Sequence, residues 1–129
     1  MKVRGFNHLT LNITSLDKSI HFYEDILGCK LVHKGRIDCY LEWGEAWICL
    51  QERAELAPLS HQIGVDHIAF SLGEDEFHKA VHRLQEFSVR IVRGPLKRGG
   101  GWTINFLDPD GIQFELHTAT LQKRMAEWV

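Results

Sequence analysis

Two histidines stand at matching places in two similar stretches of the chain. Residues 5–11 read GFNHLTL and residues 64–70 read GVDHIAF, which makes His8 and His67 equivalent positions. A repeat of this kind indicates two copies of one structural module. Glu115 lies near the end of the second copy, in a stretch that alternates polar and apolar residues. Two imidazoles and one carboxylate are a ligand set for a catalytic metal ion, because three protein ligands leave positions open for substrate or water.

The ligand types alone do not select the metal, since two nitrogens and one oxygen suit Mn, Fe, Co, Ni or Zn. We expect three ligands rather than four. Aligning residues 48–51 with 112–115 makes Gln51 the counterpart of Glu115 in the first copy, and an amide is the weaker ligand. Each histidine by itself is better explained as a surface or hydrogen-bonded residue. The repeat is what favours a shared site.

The elements that must position these side chains follow from hydrophobic periodicity. Alternation over residues 5–13 predicts a strand with His8 and Thr10 on one side. A helical pattern ends at Gly28, after a cap at Thr14 or Ser15. Strands are then predicted at about 29–35, 38–43 and 46–52, and the second copy predicts strands at about 64–72, 89–93, 102–107 and 112–117 around a helix at 74–87. We therefore predict an α+β fold of paired βαβββ modules, about 4–53 and 64–118, with a short helix in the tail.

Composition narrows the classes of function. The chain has 129 residues, 44% hydrophobic and 25% charged, which is ordinary for one globular domain. A net charge of -2 without a basic stripe argues against nucleic-acid binding. We find no apolar run of the roughly 20 residues that span a membrane. The three cysteines Cys29, Cys39 and Cys49 indicate free thiols and hence a cytoplasmic protein.

Two further patterns are weaker. His78 and His82 lie four apart on the predicted second helix, but the glutamate of the zinc-protease motif is missing, so a solvated helix face is the better interpretation. The stretch from Lys97 to Gly101 reads KRGGG. Its backbone N–H groups and cations would suit an anion, and a mobile basic loop explains the stretch equally well.

Several stretches resemble one family. The matches are residues 7–11 (NHLTL), 40–42 (YLE), 47–50 (WICL), 67–70 (HIAF), 106–111 (FLDPDG), 115–117 (ELH), and 120–121 (TL) followed by Arg124. Together they resemble the vicinal oxygen chelate superfamily, which includes glyoxalases, bleomycin-resistance proteins and dioxygenases. Within it, the chain is similar to the fosfomycin-resistance proteins over nearly its full length.

The resemblance implies a single glyoxalase-like domain over residues 1–129, a cavity formed by curved sheets, and a homodimer in which modules from two chains pair. It implies a Mn(II) site on His8, His67 and Glu115. The expected activity is opening of a phosphonate epoxide by a low-molecular-weight thiol such as glutathione, which gives antibiotic resistance. The other residues that match family positions are Thr10 beside the epoxide oxygen, Tyr40 and Trp47 in the pocket wall, and Arg124 against the phosphonate.

The chain departs from the family pattern between Arg93 and Asn105. Related transferases carry there a Lys, two Ser and a Glu that hold the phosphonate and a potassium ion, followed by a Tyr on the strand. Here only Thr103 keeps a hydroxyl in register, and Asn105 replaces the Tyr. Lys97 and Arg98, or Arg93, are expected to supply the missing cation. These departures count against a potassium site.

Asp38 keeps a second reaction open. It falls where the hydrolase branch of the family has a Glu that acts as base for water, so water addition is the alternative to thiol addition. Asp38 is equally well explained as the first residue of a strand after a turn. Two other classes remain: an iron dioxygenase, because two His and a carboxylate also form its facial triad, and a non-enzymatic drug-binding protein, which would lack the metal ligands.

Overall fold

The computed structural model describes residues 1–60 and 62–127 and divides into two compact units, Met1–Pro58 and Leu59–Val129. The first unit contains β1 (His8–Ile13), α1 (Leu16–Ile20), β2 (Lys30–Lys34), β3 (Asp38–Trp43) and β4 (Ala46–Glu52). The second contains β5 (Ile68–Ser71), α2 (Glu74–Glu86), β6 (Ile91–Arg98), β7 (Gly101–Leu107), β8 (Gln113–His117) and α3 (Leu121–Ala126). Both units are therefore βαβββ modules, which confirms the predicted α+β fold. That they form one domain stays a prediction.

The sheet of the first unit has the strand order β1-β4-β3-β2. Strand β1 runs parallel to β4, and the other neighbours are antiparallel. A parallel pair needs a crossover connection, which the helix supplies. One face of the sheet carries the buried core, and the residues of that core are Leu11, Ile13, Cys39, Leu41, Ile48 and Leu50.

The first helix begins where the sequence predicts. The Ser15 hydroxyl accepts a hydrogen bond from Lys18 N, and the Glu52 carboxylate accepts one from Leu16 N at 2.7 Å. These side chains satisfy amide groups that a helix start leaves open. After Ile20 the helix continues as a π-helical segment, His21–Ile26, which the sequence pattern did not predict. Its Tyr23 is fully buried.

The sheet of the second unit repeats the same order, β5-β8-β7-β6. Helix α2 covers one face with Phe77, Val81 and Leu84, all buried. Beneath it lie Ile104, Phe106, Phe114 and Leu116, with 0–3% exposure. These apolar residues alternate with polar ones along β7 and β8, so the opposite face of the sheet is polar.

The turn between β7 and β8 is held by Asp108. Its Oδ1 atom accepts hydrogen bonds from Asp110 N and Ile112 N at 2.9 and 2.8 Å. Gly111 has φ +87°, a conformation that favours glycine. This is the tight turn predicted from residues 108–111, and it sets the register that carries Glu115.

Helix α3 is short and has no buried residue, although Thr120 caps it by accepting from Lys123 N. Leu121 and Met125 are 75% and 55% exposed. Trp128, also in the tail, lies outside the described residues. Within residues 1–60 and 62–127, every helix is too short or too polar to cross a membrane.

Candidate metal centre

The polar face of the first sheet carries the predicted residues of the first module in two successive rows. The register pairs His8 with Trp47 and Trp47 with Glu42 across β1, β4 and β3. The next row is Thr10, Cys49 and Tyr40. Residues two apart on a strand point to the same side, so all of these side chains face the same surface.

His8 lies against an aromatic wall. Its ring centroid is 4.4 Å from that of Trp47, and Tyr40 meets Trp47 edge-on at 5.7 Å. Tyr40 and Trp47 are 41% and 39% exposed and line a cavity of about 410 Å³ together with Glu42. The first unit therefore offers an imidazole beside an open apolar wall.

In the second unit His67 and Glu115 come together. His67 Nε2 is 4.0 Å from Glu115 Oε2, and Glu115 is only 12% exposed. Two metal–ligand bonds of about 2.0–2.2 Å each span up to about 4.4 Å when they lie in line. A metal ion between these atoms would be within bonding distance of both. That these two residues bind a divalent ion stays a prediction.

Both histidines are oriented in the same way. His8 Nδ1 lies 2.7 Å from Asn7 Oδ1, and His67 Nδ1 lies 2.7 Å from Asp66 Oδ2. An oxygen acceptor at Nδ1 fixes the proton there and presents Nε2 as the ligand atom. The Asn or Asp that precedes each histidine in the repeat therefore has a physical role that the motif alone did not reveal.

The register corrects one expectation. Thr10, two residues after His8, pairs with Cys49, and Ala69, two residues after His67, pairs with Glu115. The counterpart of Glu115 in the first unit is therefore Cys49, and the prediction of Gln51 was wrong by two residues. Gln51 instead donates from Nε2 to Asn12 Oδ1 at 2.6 Å.

Strand β7 places Thr103 and Asn105 on the polar face of the second sheet. Asn105 pairs with Glu115, and Thr103 pairs with His117. Both are buried, at 0% and 1% exposure. Within the described residues, Thr103 Oγ1 and Asn105 Nδ2 have no hydrogen-bond partner. Buried polar atoms without partners are costly, so a ligand at this face would satisfy them.

Arg124 joins Glu115 around a cavity of about 270 Å³, with Ser71 and His117 also in its wall. Its guanidinium packs against Gly99, where an added Cβ would overlap it. The glycine-rich loop is therefore close to Arg124 because it lacks side chains at this point. A cation and the predicted metal ligand Glu115 therefore line one cavity, and binding of a phosphonate would require such a cation.

The other predicted cations lie elsewhere in the second unit. Lys97 pairs with Trp102 on the side of the sheet that α2 covers, and its Nζ sits 5.5 Å above the Trp102 ring. Arg98 lines a separate cavity of about 320 Å³ beside the glycine loop. Neither lies in the Glu115 row. Arg93 does, because it pairs with Asn105.

Asp38 begins β3 and shares the polar face of the first sheet with Tyr40. Its Oδ1 atom packs over Gly35, where an added Cβ would overlap it, and Gly35 N donates to its carbonyl oxygen at 2.8 Å. The carboxylate is thus turned toward the loop between β2 and β3. This placement agrees with a residue that starts a strand after a turn.

Among the described residues 1–60 and 62–127, no three His, Cys, Asp or Glu side chains come together in a group that could hold a metal ion. His67 and Glu115 lie in the second unit, and His8 lies in the first. The model of the Glyoxalase/Bleomycin resistance protein/Dioxygenase superfamily matches residues 5–116. The chain belongs to this superfamily. Its repeat and its two sheets of equal strand order agree with that assignment, which confirms the predicted resemblance.

Individual superfamily members are similar over almost the whole chain. The chain is 38% identical over 126 residues to metallothiol transferase FosB of Lysinibacillus sphaericus (strain C3-41), covering 97% of this chain and 89% of that protein. It is 33% identical to glutathione transferase FosA of Serratia marcescens, covering 96% and 87%. The chain is also similar to a solved structure of a variant of the fosfomycin resistance protein FosX from Listeria monocytogenes, complexed with Mn(II) and 1S,2S-dihydroxypropylphosphonic acid. The TM-score is 0.81 and the sequence identity is 25%, covering 98% of this chain and 100% of that chain.

Proposed function

We propose that this chain is a metal-dependent enzyme that opens the epoxide of fosfomycin, or of a related phosphonate, by adding a low-molecular-weight thiol. The main observation behind this proposal is the 4.0 Å distance between His67 Nε2 and Glu115 Oε2, together with a cavity that Glu115 and Arg124 line. Relatives named thiol transferases cover almost the whole chain, which supports thiol as the nucleophile.

The proposed metal ligands are His8, His67 and Glu115. A divalent ion held there, Mn(II) by the likeness to the FosX complex, would act as a Lewis acid on the epoxide oxygen. The thiolate sulfur forms a bond to an epoxide carbon as the carbon–oxygen bond breaks, and the oxygen ends as a hydroxyl after taking up a proton. Thr10, in the row next to His8, would donate a hydrogen bond to that oxygen.

The phosphonate is assigned to the second sheet. Arg124 supplies charge, and the unsatisfied Thr103 Oγ1 and Asn105 Nδ2 supply polar contacts. The aromatic wall of Tyr40 and Trp47 would contact the carbon skeleton of the substrate and shield the reacting carbon from bulk water. Lys97 and Arg98 are left out of the phosphonate contacts, since neither lies in the Glu115 row.

Water addition is the second candidate. The likeness to a FosX structure that contains a dihydroxypropylphosphonic acid, a diol, favours it. Asp38 would then be the base, as the resemblance implies. The packing of its carboxylate over Gly35 argues against this role, because a general base must come within hydrogen-bonding reach of the attacking water. Thiol addition is therefore the preferred reaction.

The deciding experiment is mass spectrometry of fosfomycin incubated with purified protein and Mn(II), with glutathione, with cysteine, with bacillithiol and without thiol. A thiol adduct that disappears in EDTA is the expected product. A diol without thiol, lost in Asp38→Ala but kept in the exposed control Asp17→Ala, would establish water addition instead. Metal binding without any product would refute fosfomycin as the substrate.

We also propose the homodimer and the cytoplasmic location. Phe6 and Val65 are 75% and 80% exposed, and pairing of modules from two chains would bury such apolar surface. The cysteines are free thiols, as expected for a reducing compartment. Sedimentation equilibrium should give twice the mass of the chain, and a monomer at micromolar concentration would contradict the dimer.

A further inference from the structure

Helix α2 carries a stripe of potential metal ligands that the proposed reaction does not use. Glu74, His78, His82 and Glu86 follow one another at intervals of four residues, and all four are exposed. Residues four apart on a helix are neighbours, with about 5–6 Å between their Cβ atoms. His78, His82 and Glu86 also line one open hollow of about 550 Å³. The helix therefore presents two adjacent imidazoles to solvent, with a carboxylate one turn away on either side.

The packing of α2 on the second sheet restricts the ring of His78. The centroid of this ring lies 5.2 Å from that of Trp102 and 5.6 Å from that of Phe77, and both contacts are edge-on. Phe77 is fully buried under the helix, whereas the His78 side chain is 53% exposed. A side chain that is already held by its neighbours loses less freedom when it binds a ligand. His78 is therefore partly pre-organised and still open to solvent.

Two cations also line the hollow, and both are directed away from the histidines. Lys79 Nζ lies 3.2 Å from Glu76 Oε1, and the Arg83 guanidinium lies 5.0 Å from the centroid of the Phe87 ring. At about 100° per residue, these two partners lie roughly 160° and 180° around the helix from His78. The positive charges thus lie toward the far side of the helix, which weakens their repulsion of a cation bound at the imidazoles.

The spacing and the ligand types indicate which ions the stripe suits. Two histidines four apart on one helix face can bind one ion together, as they do in the zinc-protease motif. Glu74 Oε1 lies 3.8 Å from His78 Nε2 and adds negative charge beside the imidazoles. Imidazole ligands suit Zn, Cu and Ni, and Mn stands lowest in the order of affinities of divalent ions. Lys79 replaces the glutamate that is the base of the protease motif, so the stripe provides no base for hydrolysis.

We propose that His78 and His82 form a second metal site, a surface chelate for Zn(II), Ni(II) or Cu(II) that binds Mn(II) poorly. The site lies on α2, which covers the face of the second sheet opposite to Glu115. Among residues 1–60 and 62–127, no three His, Cys, Asp or Glu side chains form a metal-binding group. The site therefore has two protein ligands, and water completes the coordination of the ion. This inference does not rest on the proposed reaction.

The test is a titration of the full-length protein with Zn(II), which has no redox chemistry. Calorimetry gives the number of ions bound and their affinities, and NMR of the imidazole groups shows which histidines respond. The variants are His78→Gln and His82→Gln. The matched control is His21→Gln, because His21 is 62% exposed and its neighbour four residues on is Asp25 rather than a second histidine. Glu115→Gln removes a ligand of the other predicted centre.

We expect one Zn(II) equivalent whose affinity falls by roughly tenfold or more in either His78→Gln or His82→Gln. Loss of a group that merely supports a metal ligand typically costs 10–100-fold, so loss of a ligand should cost at least as much. This equivalent should persist in His21→Gln and in Glu115→Gln, and Zn(II) should shift the signals of His78 and His82 together. An equal loss in His21→Gln, or Zn(II) binding that depends only on Glu115, would overturn the site. Mn(II) binding that is weakened by His82→Gln would also contradict it.

Discussion

Replacing Glu115 with Gln removes one negative charge from the proposed metal centre while keeping the size of the side chain. An ion bound by Glu115 at the usual metal–oxygen distance would lie about 2.1 Å from the carboxylate oxygen. In a water-like dielectric, a divalent ion and one charge at about 2.1 Å attract by roughly 4 kcal/mol. Glu115 is 12% exposed, so the screening is no stronger than in bulk water.

At 1.4 kcal/mol per tenfold change, that attraction corresponds to a loss of Mn(II) affinity of roughly a thousandfold. The stability of the fold should change little, because the lost contact of Glu115 with the partly exposed Arg93 is worth at most about 1 kcal/mol. Glu115→Gln should therefore remain folded by circular dichroism.

The assay is a titration of free Mn(II) by electron paramagnetic resonance, with Glu86→Gln on α2 as the control that removes a remote exposed carboxylate. The control should bind Mn(II) like the unaltered protein. If Glu115→Gln is folded and loses less than tenfold in affinity, Glu115 is not a metal ligand, and the reasoning from its distance to His67 fails.

Three other changes have defined outcomes. Phe106→Ala removes a fully buried side chain and should lower the free energy of unfolding, measured by urea titration, by about 3–5 kcal/mol. A decrease below about 1 kcal/mol would contradict the packing. Gly99→Ala (φ +63°) should displace Arg124 and weaken methylphosphonate binding several-fold. The control is Gly44→Ala (φ +59°), where the added Cβ would meet no described atom within 4 Å. The control should show similar backbone strain but unchanged binding. Burial raises the pKa of the Cys29 thiol from 9.0 to about 12, so the unfolded chain loses this proton at lower pH than the folded protein does, and the free energy of unfolding should fall as the pH rises above 9. In Cys29→Ala this fall should be less steep. An equal slope in the variant and the unaltered protein would exclude this cause.

The sequence predicted those features that depend on local periodicity. The alternation around His8 and the matching stretch around His67 indicated strands, and the structure has β1 and β5 there. Strands β3 and β4 have the predicted bounds, Asp38–Trp43 and Ala46–Glu52. The π-helical segment escaped prediction because the same apolar spacing suits an α-helix, and only the hydrogen-bond pattern separates the two.

Pairing across strands was harder to predict. Ile48, Cys49 and Leu50 form a continuous buried run without alternation, so nothing local indicates which of these residues opposes Thr10. The sequence alignment therefore matched Gln51, rather than Cys49, to Glu115. We predicted that the strand corresponding to β6 ends at Arg93. The strand continues beyond this residue, and its register shifts there. A one-residue change in register turns a side chain to the other face, which is why the sequence could not separate Arg93 from Lys97.

The two modules share a strand order but differ in the row that follows each histidine. In the first unit the row is Thr10, Cys49 and Tyr40, which offers a hydroxyl, a thiol and an aromatic ring. In the second, the Glu115 row adds an amide and the guanidinium of Arg93. The repeat thus supplies two equivalent histidines, whereas the charged residues of these rows, Glu115 and Arg93, both lie on the second sheet. Arg93 and Arg124 lie near this one carboxylate, so a divalent ion bound there, as proposed, would make positive charge exceed negative charge. A phosphonate dianion would compensate that excess, which agrees with the proposed class of substrate.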